Sequence, residues 1–599
     1  MAIRDSNRSR ASPWWHHVLA GLLYGLLTSV ASPPLGVWPL AFAAVVPLCW
    51  SACHTGDHRT RSALMVWLGT LPLWFVQQRW LLNVTELGYP LLAIYLSVYA
   101  AVFVRLLAGV RFRLAAAGVA IPLSLTAPVL WVGVEFVRGE IGLTGYPWFL
   151  AAHPLIESPL PMLAMPAAVL GTYFVSVLVV ALAGALADAS GWTSSKRQVG
   201  GAGAGVVVLL WIITSFVHMG MRPRVQGDRT IRVAVVQTNI PQDNKMSWSL
   251  DQRLKDWEQF AKLTRTVAKS SPKPDLILWP ETMFPGTALN PEYRADLAGA
   301  ARERNVDPLQ TPGEVFIQRM EDLQRECAVP MLIGSQAVEG FRLSEEPGSS
   351  GGTAFGDRFN SAFIVESGRV RPERYDKIEL TPFGEVIPYL WRWKSIQAWI
   401  ERAGAGGMKF DLTAGRSFAT LPLLIRRGVE DPEWNVSGGD VTIRLITPIC
   451  FEATKPALCR SLVQAALAEA PHDPIIIVNL SNDGWFGPWT GGREQHLQAA
   501  RWRCIELGLP MIRAVNTGIS CAINPAGKLT FTSLGRRELD VRTDGVLIYE
   551  VSSRPPGGTL YTLFGDAFGW SMLGLTVLLP PASIMLSRRP RQNRAMAQA

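Results

Sequence analysis

The chain has 599 residues, 49% of them apolar and 18% charged, against about 25% charged in an average soluble protein, which argues against a wholly soluble one. The net charge of +9 gathers between apolar stretches and at the ends, a pattern of membrane topology and not of a nucleic-acid partner. Seven irregularly spaced cysteines with no CxxC pair exclude a disulfide scaffold and a zinc ribbon, and no metal or cofactor is expected.

In chain order, uncharged stretches come first. Residues 14–31, 36–53, 62–78, 87–104, 114–134, 160–187 and 198–221 each lack Asp, Glu, Lys and Arg, and so does 567–587. A spanning helix needs about 20 mostly apolar residues, so eight spans are expected. Positive connections stay cytoplasmic. Arg4, Arg8, Arg10, Arg59, Arg61, Arg105, Arg111, Arg113, Lys196, Arg197, Arg588, Arg589, Arg591 and Arg594 fall on one side, and only Arg79 and Arg138 lie in the short loops of the other. Both termini are therefore placed in the cytoplasm. The expected division is a membrane domain of seven helices at 1–221, an extracytoplasmic domain at 222–556, and an eighth helix with a basic tail at 557–599. The first span follows a basic segment, as a signal peptide would, but runs straight into a second, so it is read as a retained anchor.

Within the spans, Gly21 and Gly25 form a GxxxG, and Gly201, Gly203 and Gly205 alternate with alanine; close helix packing is the expected reason. Glu135, Arg138 and Glu140, with Gly145, Tyr146, Pro147 and Trp148 in the next outer loop, fit either a head-group pocket or interfacial anchoring.

From Ile231 the pattern changes to short β-rich runs at 231–237, 276–279, 331–334, 361–365, 441–449 and 475–480. Helical segments at 252–269, 313–327, 457–470 and 493–507 lie between them. Alternation of the two predicts a layered α/β domain. Two connections are irregular, 345–357 and the aromatic-rich 387–415.

Three strand ends carry reactive side chains. Leu276–Trp279 runs into Pro280 and Glu281; Tyr375-Asp376-Lys377 precedes Thr381-Pro382-Phe383-Gly384-Glu385; and Ile446-Thr447-Pro448-Ile449 delivers Cys450, then Phe451 and Glu452, onto a helix start. Each alone has a bland reading, as a solvated carboxylate, a surface lysine or a small buried hydrophobe. In this order, and flanked by Val235–Gln242, Trp279–Thr282, Pro382–Pro388 and Ser481–Gly487, they resemble the nitrilase, or carbon-nitrogen hydrolase, superfamily with its Glu-Lys-Cys triad. The resemblance covers about residues 230–552, and with seven spans before and one after it narrows to the membrane-embedded acyltransferases of that superfamily.

The resemblance implies a polytopic helical membrane domain joined to an αββα sandwich. It makes Glu281 the general base, Lys377 the stabiliser of the tetrahedral intermediate and Cys450 the nucleophile, with Glu385, Phe451 and Glu452 in support. Trp148, Trp248 and Trp485 are carried as substrate contacts. The family usually has Tyr where this chain has Phe451, which removes a hydroxyl, and Trp248 stands about two positions later than the family's tryptophan. The implied reaction is ping-pong: Cys450 takes an acyl chain from a membrane phospholipid and passes it to the free α-amino group of a diacylglyceryl-cysteine on an apolipoprotein. The implied setting is a monomer in the bacterial inner membrane.

The chemistry suits the residues. A thiol with a pKa near about 8.5 needs a base or a positive charge to supply thiolate, and an ammonium answers the developing oxyanion. Trp391, Trp393, Trp399, Trp485, Phe486 and Trp489 fit either a greasy entrance or ordinary core. Cys327, Cys459, Cys504 and Cys521 share the outer side with Cys450, which leaves disulfides among them open. Two other readings remain: an anchored amidase or nitrilase with the same triad, and a transporter or receptor whose outer domain only binds.

Overall fold

Leu276–Trp279 (β2) is buried on both faces, as a parallel strand covered on each side must be. The structure, a computed structural model, describes residues 12–86, 88–192, 197–221, 229–241, 248–343, 353–382, 384–386, 412–426, 440–530, 543–553 and 558–596. The chain divides into two units: residues 1–222, 489–506 and 559–599 form one, and 223–488 with 507–558 form the other.

The second unit is built on two six-stranded sheets. Its strands are β1 (Arg229–Gln237), β2, β3 (Met331–Glu339), β4 (Arg342–Leu343), β5 (Thr353–Ala354), β6 (Asp357–Glu366), β7 (Arg369–Asp376), β8 (Leu421–Ile425), β9 (Val441–Ile446), β10 (Ile475–Ser481), β11 (Met511–Val515), β12 (Cys521–Ile523), β13 (Leu529–Thr530) and β14 (Gly545–Ser553). One sheet runs β14-β1-β2-β3-β6-β7 and the other β13-β12-β11-β10-β9-β8, while β4 and β5 form a small separate ribbon. Each large sheet has a parallel centre, β1-β2-β3 and β9-β10-β11, with antiparallel strands outside. Because β6 runs antiparallel to β3 and β7 antiparallel to β6, β7 points the same way as β2, and the C-terminal ends of both leave the first sheet on one edge.

Helices cover the first sheet because their sequences are amphipathic and well capped. Leu250–Ala268 begins at Ser249, whose side chain accepts from the Gln252 N–H, and buries Trp257, Phe260, Ala261 and Val267. Pro312–Cys327 begins at Thr311 with Pro in its first turn and stops at Ala328, which adopts a left-handed conformation. Trp279 at the end of β2 stacks on Phe260 at 4.3 Å and donates its indole N–H to Thr264 at 3.0 Å. That contact seals the strand just before it releases Glu281.

The first unit is helical: Trp14–Ala31, Arg59–Gln77, Gly88–Ala116, Leu123–Phe136, Thr172–Ala189, Arg197–Met221 and Ala567–Met596. Among the described residues, Gly88–Ala116, Thr172–Ala189 and Ala567–Arg588 are long and apolar enough to cross a membrane. The predicted second span is interrupted between Trp38 and Cys53, and the predicted sixth breaks after Leu170, where Gly171 takes a positive φ of 82°. The GxxxG is a packing device: a Cβ on Gly21 would lie 2.5 Å from the Val66 carbonyl and 2.9 Å from Gly69 Cα. Of the later glycines only Gly203 meets a neighbour, Ser124; Gly201 and Gly205 face open space.

Residues 489–506, most of the predicted 493–507 helix, group with the helical unit. Trp502 and Ile505 enter the apolar core of that unit, and polar contacts add to it. Arg501 holds Glu157 at 2.7 Å, Gln495 reaches Gln77 at 3.0 Å, and the buried Glu506 accepts from both the N–H and hydroxyl of Thr172. Such partners are invisible in a helical repeat.

Candidate active site

Three strands bring the reactive side chains to one place within the sheet unit. Glu281 stands two residues beyond β2, Lys377 directly after β7, and Cys450 four residues beyond β9. Gly334 on β3 makes the first turn feasible, since a Cβ there would overlap the Pro280 carbonyl and crowd Glu281 Cα. Thr282 and Cys450 both adopt left-handed backbone, with φ of 49° and 52°. A non-glycine residue in that region stores about 1–3 kcal/mol and persists only where its surroundings hold it.

Lys377 is buried, at 1% exposure. Its ammonium lies 2.7 Å from Glu385 Oε2 and 3.5 Å from Glu281 Oε1, and donates to Thr381 Oγ1 at 3.3 Å. Burial opposes the charge, but Glu385 and then Glu281 outweigh it, so the lysine pKa is raised and the group stays an ammonium at every working pH. Burial likewise opposes the Glu385 carboxylate, and Lys377 reverses the balance to hold it below the ordinary range. A lysine so protonated cannot serve as a base.

Both Glu281 oxygens are fixed. Asn360 Nδ2 donates to Oε1 at 2.7 Å and the backbone N–H of Asn482 to Oε2 at 2.9 Å. Asn360 also reaches Glu385 at 3.2 Å, so one amide sets the spacing of both carboxylates around the lysine. Neither asparagine was among the site residues read from sequence. Asn482 sits in the quoted Ser481–Gly487 stretch, whereas Asn360 stands one residue before a predicted strand with nothing local to mark it.

Cys450 is half-buried. Burial pushes its thiol up, Glu281 pushes it further, and Lys377 pulls it back. A standing thiolate is therefore disfavoured. The charged groups acting on the sulfur include the Glu281 carboxylate and one ammonium, Lys377.

Glu452 ties two of these pieces together. Its Oε1 accepts the N–H groups of Ile378 and Glu379 at 2.7 and 2.9 Å, its Oε2 accepts that of Ile449 at 2.7 Å, and Tyr375 donates its hydroxyl at 2.9 Å. One buried carboxylate thus joins the turn behind Lys377 to the residue before Cys450. Phe451 is buried, with the Lys455 ammonium 5.2 Å from its ring centroid.

The tryptophans separate. Trp485 is half-buried on the turn Asp483–Phe486, next to Asn482. Trp248 gives its indole N–H to Asp256 at 2.6 Å, whose other oxygen is held by Gln252. Trp148 belongs to the helical unit, 3% exposed, stacked between Tyr146 and His496. There Glu135 and Arg138 are also buried, and Arg138 donates to the carbonyls of Trp148 and Phe149 at 2.6 and 3.0 Å. Trp391, Trp393 and Trp399 lie outside the described residues.

Residues 232–554 match the profile of the carbon-nitrogen hydrolases; the chain belongs to that family. Residues 24–185 match the apolipoprotein N-acyltransferase N-terminal domain. The chain is 27% identical to the apolipoprotein N-acyltransferase of Bradyrhizobium diazoefficiens over 602 aligned positions, 96% of each chain. Identity is also 27% to the proteins of the same name from Rhodopseudomonas palustris, over 96% of each chain, and Geobacter metallireducens, over 92% of each.

Proposed function

We propose that this chain transfers an acyl chain from a membrane phospholipid, through a thioester on Cys450, to the α-amino group of the diacylglyceryl-cysteine of an apolipoprotein. The observation that carries the reading is the ring of contacts around Lys377, with Glu281 and Glu385 on either side, in a chain similar along nearly its whole length to proteins named for that reaction.

In the first half-reaction Glu281 takes the thiol proton as sulfur attacks the ester carbonyl. Lys377 donates to the oxyanion, the carbon–oxygen bond breaks, and the proton on Glu281 passes to the departing lysophospholipid alkoxide. In the second, the amine attacks the thioester, Glu281 takes a proton from nitrogen, and the carbon–sulfur bond breaks. The thiolate then recovers the proton from Glu281, which restores the resting charges. Total charge in the site is constant through each proton transfer, which spares the buried Lys377 and Glu281 an uncompensated charge.

The membrane supplies both substrates in two dimensions. Eight spans, cytoplasmic termini, a membrane domain at 1–221, a catalytic domain at 222–556 on the outer side of a bacterial inner membrane, and a last span with tail at 557–599 are the arrangement we infer. The alternation of positive loops supports it. We take the enzyme to be a monomer, with Trp485, Trp248 and Trp148 as candidate substrate contacts.

The test is intact-mass analysis after incubation with labelled phospholipid. A mass increase of one acyl chain, lost in Cys450→Ala and discharged by a diacylglyceryl peptide with a free amine, is expected. Rapid amide hydrolysis with no adduct would instead fit an amidase.

A further inference from the structure

The elbow that carries Cys450 is held from two sides. Glu452 fixes the Ile449 N–H. On the other side the amide of Asn479, fully buried on β10, donates to the carbonyls of Pro448 at 2.7 Å and Cys450 at 3.4 Å. Its own oxygen accepts from Nη1 of Arg513 at 2.7 Å. Arg513 is the residue directly beside Asn479 in the β10–β11 pairing and is also fully buried. Nη2 of the same guanidinium reaches Asp483 at 3.3 Å, and Asp483 accepts the Ser481 hydroxyl at 2.9 Å.

This chain of contacts has a direction. An amide oxygen and nitrogen are interchangeable in shape, but a guanidinium only donates, so the Asn479 oxygen must face Arg513 and the NH2 must face the elbow. A charge-assisted bond of this kind is about twice as strong as a neutral one and short of competitors in a dry interior. The elbow carbonyls thus meet fixed donors, where a left-handed cysteine otherwise relaxes toward an extended conformation. Arg513 reaches the elbow through the Asn479 amide and is also the ion-pair partner of Asp483, one of the charges acting on the sulfur.

We propose that Asn479, oriented by Arg513, is a positioning residue for the nucleophile: it holds the Pro448 and Cys450 carbonyls so that the thiol is presented to Glu281 and Lys377. The proposal rests on the reading of Cys450 as the acyl carrier. Asn479→Asp retains a partner for Arg513 but removes both donors to the elbow. Arg513→Met frees the amide to turn, and Arg513→Lys keeps a cation facing it.

The experiment uses full-length protein in mixed micelles of nonionic detergent with phosphatidylethanolamine and phosphatidylglycerol. It follows Cys450 acylation by intact mass, alongside the melting midpoint and the pH dependence of Cys450 alkylation. N479D and R513M should acylate about tenfold to a hundredfold more slowly at saturating lipid, the loss that a misplaced reacting atom causes. The lipid concentration for half-maximal rate should stay unchanged, and R513K, which keeps a cation beside Asp483, should hold the alkylation midpoint and acylate within about threefold of wild type. If N479D does not fold, the R513M and R513K pair decides. Wild-type rates in N479D and R513M, or equal loss in R513K and R513M, overturn the positioning role alone. No adduct in the wild-type protein overturns the acyl-transfer reading and this role with it.

Discussion

The Lys377 ammonium sits nearer to Glu385, at 2.7 Å, than to Glu281, at 3.5 Å. The closer carboxylate neutralises the lysine and the farther one keeps lone pairs for a proton. Glu385→Gln removes that anchor and lets Lys377 close on Glu281, so the base is consumed in an ion pair. Acylation should fall by about a hundredfold or more, the scale of losing one preorganised electrostatic element. Single-turnover adduct formation measures it; a rate within a fewfold of wild type would refute the division of labour between the two carboxylates.

The sulfur feels burial and Glu281 as penalties and Lys377 as support. The signs of two substitutions therefore differ. Lys377→Met removes support, raises the thiol pKa further and slows iodoacetamide alkylation at pH 8 by about an order of magnitude, since each pK unit is tenfold in thiolate. Glu281→Gln removes a penalty and leaves alkylation equal or faster while abolishing acylation. Peptide mapping of the Cys450 adduct across pH checks both, and slower alkylation in Glu281→Gln would contradict the assignment of the base.

Glu452 accepts three backbone N–H groups and the Tyr375 hydroxyl. Glu452→Gln turns an NH2 group toward at least one of these donors, which strands a buried N–H at a cost of about 1–3 kcal/mol. Tyr375→Phe removes one neutral donor and should cost about 1 kcal/mol. The ordering, Gln worse than Phe, is read from melting midpoints in detergent; equal midpoints would show that the Lys377 turn and the elbow are not joined through this group.

In the helical unit, Gly21→Val places atoms where the Val66 carbonyl and Gly69 backbone already stand. Overpacking of this kind costs about 1–3 kcal/mol. Gly205→Ala, at a position with open space, should be neutral or slightly stabilising, because alanine is the better helix former. Thermal unfolding of the purified protein compares the pair, and an equal response would mean that Gly21 is not at a close contact.

Central parallel strands are legible where they are apolar throughout. Leu276–Trp279 and Ile475–Ser481 are buried at every position, and a run of that kind is visible without knowing its partners. Edge strands were missed. Arg369–Asp376, which leads to Lys377, is Arg-Val-Arg-Pro-Glu-Arg-Tyr-Asp, half-exposed at the edge of its sheet. Its register comes from pairing with β6 and not from any periodicity of its own. Gly545–Ser553, at the other edge of the same sheet, was also passed over, and so was the central strand Met511–Val515, a short run in which a buried arginine interrupts the apolar residues.

By itself the sequence determined the apolar stretches, the placement of charge between them, and the identity and order of Glu281, Lys377 and Cys450. Consecutive residues carry that information, since burial and helix or strand period are local properties. Only the tertiary structure decided which carboxylate holds the lysine, that Asn360 and an Asn482 N–H 201 positions from Glu281 fix its carboxylate, and that Asn479, held by Arg513, bonds the Cys450 elbow. A buried polar group must find a partner wherever the fold puts one, and two sheets that fold together bring into contact residues whose spacing along the chain records nothing of the meeting.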